Sequence, residues 1–195
     1  RGTVRSAAIA DTGLATAYGL CLQGAQLINF GRVSTRVIGF GDERATAYGA
    51  RLFGFILGAL FTNSGDISVR ADGSNAWAIG VQVDDAHFVN NTGTINANGT
   101  ARATGIIACN IGTIENYGDI ETYSAAGPSV GVYLENGALR NHAGARIVAE
   151  NNDGTSIGVL ATGARVVNNG LIQGSVHRLV DSEVYGNGLF NGTLE

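Results

Sequence analysis

The chain has 195 residues, of which 30 are Gly, one is Pro and none is Met; all 12 basic residues are Arg, set against 16 acidic ones. With 45% apolar and 14% charged residues it is not a disordered chain, and without a Gly-X-Y period it is not collagen-like. A net charge of −4 argues against nucleic acid as a partner, because phosphate contacts need a basic surface.

This length fits one domain with ample chain for a core. The longest apolar run, residues 52–61, is about half of the ~20 residues a spanning helix needs, so this segment is not expected to insert in a membrane. A start at Arg1 with no Met anywhere reads as an excised piece of a longer chain.

Two short motifs alternate along the chain. The first is a small residue, any residue, Gly and then an aliphatic or Ala. It begins at Ala17-Tyr-Gly19-Leu20 and returns at Ala47, Ala78, Ala103, Ser129 and Ser156. The second is Asn-x-Gly-x-(Ile/Val), beginning at Asn29-Phe-Gly31-Arg-Val33. It returns at Asn63, Asn91, Asn116 and Asn168, and with insertions at Asn141, Gly144 and Ile147. Its Gly residues lie 34, 28, 25, 26 and 26 positions apart. Two residues before each Asn stands an apolar residue: Leu27, Phe61, Val89, Ile114, Leu139 and Val166. Two motifs in phase over six repeats define a repeat protein.

Around both motifs apolar residues recur at i, i+2, the spacing of strands and not of helices. Val, Ile, Thr and Tyr favour strands, and Asn and Gly suit corners. One repeat cannot bury its apolar face alone, whereas a stack of repeats can. The expected fold is all-β: a right-handed parallel β-helix of about seven coils with a period of about 26 residues, its hand set by the rule for parallel crossovers. Val33, Ile67, Ile95, Ile120, Ile147 and Ile172 are expected to form an interior column. Asn29, Asn63, Asn91, Asn116, Asn141 and Asn168 are expected to stack at a corner as an amide ladder.

Residues 1–195 read as one β-helix domain with two irregular stretches. Residues 36–62 form an enlarged coil, with a polar-tipped loop over residues 38–44 and an unusually apolar stretch over residues 52–60. Residues 175–195 form a divergent last coil. Departures from a regular scaffold are where function attaches, so Phe40, Asp42, Glu43 and Arg44 are the candidate partner-binding residues. Residues 1–70 hold seven Arg and four acids, and residues 71–195 hold five Arg and 12 acids, so one end of the rod is basic and the other acidic.

Chemical motifs are sparse. Cys21 and Cys109 fall three coils apart, too far for a disulfide, and read as free thiols. His87, His142 and His177 share no ligand spacing, so neither a metal nor a cofactor is expected. Asp84-Asp85 is the one acidic pair placed as in β-helix enzymes that act on polysaccharides. Its counterparts one coil on are Cys109 and Asn110, so no ladder of acids develops. No catalytic residue is assigned. Asn90, Asn98 and Asn191 stand in N-x-Thr sequons that carry no glycan in a bacterial protein.

The alternation of AxGV and NxGxI motifs, from Ala15 to about Ser175, resembles the passenger domains of bacterial autotransporters of the pertactin kind. That resemblance implies a secreted passenger, or one displayed on the outer membrane through a C-terminal barrel that this chain does not include. Arg1-Gly2-Thr3 is not an RGD tripeptide, so that attachment mechanism does not carry over. The expected function is non-enzymatic: binding of a host protein or cell surface, as an adhesin or immune-evasion factor, through a lateral β face or the loop over residues 38–44. The rival readings are a glycan-processing β-helix enzyme or phage-tailspike-like polysaccharide binder, and a structural spacer that self-associates through open coil ends.

Overall fold

In the computed structural model, the residues described are 2–10, 14–23, 26–40, 44–53, 60–85, 88–152 and 155–195. Among them there is no helix. The first strands are β1 (Thr3–Ala10), β2 (Ala15–Gln23), β3 (Gln26–Asn29), β4 (Arg32–Gly39), β5 (Ala45–Phe53) and β6 (Leu60–Asn63). The middle of the chain forms β7 (Asp66–Asp72), β8 (Ala76–Asp84), β9 (Phe88–Asn91), β10 (Thr94–Gly99), β11 (Arg102–Cys109), β12 (Thr113–Asn116) and β13 (Asp119–Ser124). The last strands are β14 (Ser129–Asn141), β15 (Arg146–Asn151), β16 (Ser156–Asn168), β17 (Leu171–Val180), β18 (Glu183–Tyr185) and β19 (Leu189–Leu194).

Each strand pairs in parallel with its counterpart one repeat away, as β1 does with β4 and β4 with β7. The molecule is therefore a parallel β-solenoid with three faces. The isoleucine face stacks β1, β4, β7, β10, β13, β15, the start of β17, and β19. The glycine face stacks β2, β5, β8, β11, the first halves of β14 and β16, and the end of β17. The asparagine face stacks β3, β6, β9, β12, the second halves of β14 and β16, and β18. Six Asn-bearing turns are followed by a shorter seventh, in which Leu189 stacks on Leu171 only 18 residues away.

The two motifs are the two sides of one contact across the solenoid's interior. Val33, Ile67, Ile95, Ile120, Ile147 and Ile172 stack in register, each no more than 1% exposed. Opposite them lie the glycines of the other motif. A Cβ on Gly49 would overlap Ile67 Cγ2 and the Gly80 carbonyl; on Gly105 it would overlap Ile120 Cγ2 and the Gly131 carbonyl. The section is so narrow there that a branched residue on one face requires none on the other. The apolar positions two before each Asn form a second buried column from Phe61 through Val89, Ile114 and Leu139 to Val166.

A third stack marks the corner after the glycine face. Asp85, Asn110, Asn136 and Asp181 all have φ between 49° and 56°, and Gly163, at the same corner, has φ 60°. Asp and Asn tolerate this left-handed geometry better than other side-chain-bearing residues. At this corner Asn136 Nδ2 donates to Asn110 Oδ1 at 3.1 Å.

Candidate binding face

The six predicted corner asparagines form a continuous buried ladder. Each Nδ2 donates to the Oδ1 of the next, from Asn29 to Asn168, at 2.8–2.9 Å. Nδ2 of Asn63, Asn91, Asn116 and Asn141 also reaches a backbone carbonyl of the following turn, and Asn168 ends the chain of amides on Leu189 O at 3.1 Å. With Asn63 to Asn168 fully buried, the ladder has no edge open to a ligand, and its role is to satisfy the corner.

The predicted partner-binding loop is only partly in view. Asp42 and Glu43 lie outside the described residues, as does His87. Phe40 is 56% exposed. Arg44 is exposed and places its guanidinium carbon 5.0 Å from the centre of the Trp77 ring. Arg102 occupies the other rung beside Trp77, also at 5.0 Å, in direct register with it. Further along the same face Tyr18 and Tyr48 stack at 5.1 Å, and Arg51 lies over Tyr18, Tyr48 and Phe53 at 5.9, 5.2 and 5.2 Å. Arg51 Nη1 donates to the Tyr18 hydroxyl at 3.1 Å. Burial pushes the Tyr48 phenol up, while Arg51 pulls it partly back.

This cluster follows from register. Parallel stacking puts Thr46, Trp77 and Arg102 in one outward column and Tyr18, Tyr48 and Ile79 in the next. A third column holds Cys21, Arg51 and Gln82. Arg44, Arg51 and Arg102 make no ion pair among the described residues, whereas Arg32, Arg36, Arg70, Arg140, Arg146 and Arg178 all do. The sequence points to a lateral β face or the loop, and names residues only in the loop. Trp77, Arg51 and Arg102 carry no sequence signal because each meets its ring or guanidinium partner only through the register between turns.

Asp84 and Asp85 stand at the end of β8 and at the corner that follows it. Asp84 points out between Phe53 and Cys109 in its column, and Asp85 occupies the left-handed corner. Burial raises the Asp84 carboxyl, opposed by a hydrogen bond from Gln82 at 3.0 Å and by Arg51. Asp85, at the adjacent corner, adds to that rise. Cys21 and Cys109 are both free. Cys109 is pushed up to about 11 by burial first and by Asp84 and Glu135 second, which leaves it a poor nucleophile.

Two histidines have structural partners. His142 Nε2 meets Glu115 Oε2 at 2.5 Å and its ring stacks on Tyr117 at 3.8 Å, while Arg140 holds the other Glu115 oxygen at 2.9 Å. His177 is fully buried in the seventh turn, edge-on to Phe190, with Nε2 3.3 Å from Asn191 O and Nδ1 without a partner among the described residues. Its burial lowers its pKa. Among the described residues no group of three His, Cys, Asp or Glu could hold a metal.

No family model matches the chain, and neither a curated protein nor a solved structure matches it. The glycine face is therefore read on its own chemistry. It offers planar rings, guanidiniums that form no ion pair with a described carboxylate although Asp84 lies within the field of Arg51, and a strand register that holds both at fixed spacing.

Proposed function

We propose that the chain is a passenger-type β-helix, secreted or displayed on a bacterial surface, that binds a host protein or cell surface without catalysing a reaction. One observation carries this reading: Arg44, Arg51 and Arg102 project from one face, positioned by Trp77, Tyr18, Tyr48 and Phe53 and by no described carboxylate. A guanidinium stacked on a ring is immobilised yet leaves N–H donors for another molecule's anion, as at Arg44 and Arg102, while Arg51 gives one of its donors to the Tyr18 hydroxyl. Rigid aromatic residues and Arg are also the types that dominate protein-recognition hot spots. The autotransporter likeness of the AxGV and NxGxI motifs supplies the route to the surface.

The test is binding of fluorescently labelled protein to host cells and serum components. The intact chain is expected to bind saturably, and Arg44→Gln/Arg51→Gln/Arg102→Gln is expected to lose that binding with its far-UV circular dichroism unchanged. Saturable binding that the triple variant retains would move the site elsewhere; no binding at all would overturn the reading.

A further inference from the structure

The glycine face continues beyond its aromatic cluster into an apolar groove. Arg102, Thr104, Ile107, Val130, Tyr133 and Leu160 line a space of about 280 Å³. Thr104 and Val130 share one column and Ile107, Tyr133 and Leu160 another, so the groove runs along the solenoid axis, across the strands. The inward-pointing Gly105 and Gly131 fall between the two columns. Thr104 and Val130 are buried at the floor, and Ile107, Tyr133 and Leu160 are half-buried on the wall. A groove this small and open receives the side chains of a segment laid across it; it does not enclose a small molecule.

Its two rims carry opposite charge. On one side is Arg102, stacked on Trp77 and unpaired with any described carboxylate. On the other, Asp84, Cys109 and Glu135 form one column, with Tyr133 Oη 3.5 Å from Glu135 Oε2. The rise of the Cys109 thiol to about 11 reports the negative field of that rim together with its burial.

Resting on the binding function proposed above, we infer that this groove takes an extended polypeptide segment whose acidic side chain meets Arg102 and whose neighbouring apolar side chains pack on the Val130 floor and the Ile107–Leu160 wall. The apolar floor suits aliphatic or aromatic side chains better than sugar hydroxyls. The acidic rim repels a polymer charged along its whole length, such as an acidic polysaccharide, but accepts a peptide that presents its acid to one side only. Arg102 supplies the bidentate donor pair for that carboxylate.

Random-peptide phage display on the immobilised chain tests this. Enriched sequences are expected to place Asp or Glu beside aliphatic or aromatic residues. A synthetic copy of an enriched peptide is expected to bind Arg102→Gln about tenfold more weakly. Arg102→Lys should recover part of that loss, Ile107→Ser should also weaken binding, and Arg146→Gln, on another face, should leave it unchanged. Heparin and polygalacturonate, added as competitors, should not displace the peptide. Enrichment of basic sequences, indifference to both groove variants, or failure to enrich while either polysaccharide is retained through Arg102 would each overturn the inference. The last result leaves the wider binding function standing with a different ligand. Absence of any saturable binding to host cells or serum in the preceding test removes that function itself.

Discussion

The isoleucine and glycine faces are built from the same repeat and both carry arginines, but they handle the charge differently. On the isoleucine face Arg32, Arg36, Arg70 and Arg146 each find a carboxylate within 3.6 Å, at Asp66, Asp72, Asp72 and Glu121. On the glycine face Arg44, Arg51 and Arg102 find rings. A carboxylate cancels the guanidinium's field and uses its N–H groups, whereas a ring does neither. Two faces of similar composition therefore differ in what they offer a partner. Four described arginines of the isoleucine face pair with carboxylates and only Arg5 does not, whereas three on the glycine face are held by rings and only Arg178, in its last turn, pairs with an acid, Glu195.

The largest expected effect erases the geometry that keeps the faces apart. Gly105→Val would drive a side chain into Ile120 and the Gly131 carbonyl, and should cost about 3 kcal/mol, read as a fall in the midpoint of chemical unfolding. Next is an effect confined to the seventh turn, where the glycine column ends in a buried ring. His177 has a folded-state pKa below its ordinary 6.5, so the unfolded segment takes up the proton first. Its contribution to stability is full above that value and is lost as pH falls below it. The protection factors of amides in β17 and β19, measured relative to the intrinsic exchange rate at each pH, should fall on going from about pH 7 to about pH 5, and His177→Leu should flatten that dependence.

Smaller effects separate the faces themselves. Trp77→Ala removes the shared platform of two guanidiniums and should cost about 1 to 2 kcal/mol. Asp66→Asn breaks an exposed pair and should cost no more than about 0.5 kcal/mol, a difference that vanishes in molar salt. An Asp66 effect larger than that of Trp77 would reverse the ranking of ring and carboxylate.

The scaffold was legible in the sequence because its physics is local and repeated. The Asn and Ile of one motif and the Gly of the other recur in phase, and each recurrence reports the same contact. The amide ladder was visible for the same reason, since a buried corner needs an identical donor and acceptor on every rung. Trp77, Arg51 and Arg102 occur once each, in different turns, and no period marks them. Trp77 meets Arg102 because Thr46, Trp77 and Arg102 share a column across turns of unequal length, and Arg51 meets Tyr18 through the pairing of β2 with β5. Arg44 alone was accessible from sequence, through the loop that ends on it. The groove beyond was hidden because Ile107, Tyr133 and Leu160 read in sequence as ordinary strand residues, and only register shows that they line one wall.

The central claim is that the glycine face, with its ring-held arginines, is the binding face. The most direct measurement compares two charge-matched variants for binding to host cells. One is Arg44→Gln/Arg51→Gln/Arg102→Gln on the glycine face; the other is Arg32→Gln/Arg36→Gln/Arg146→Gln on the isoleucine face. Both lower the net charge equally, so long-range attraction changes alike. Binding is expected to disappear in the first and persist in the second. Equal loss in both, or loss in the second alone, would contradict the account.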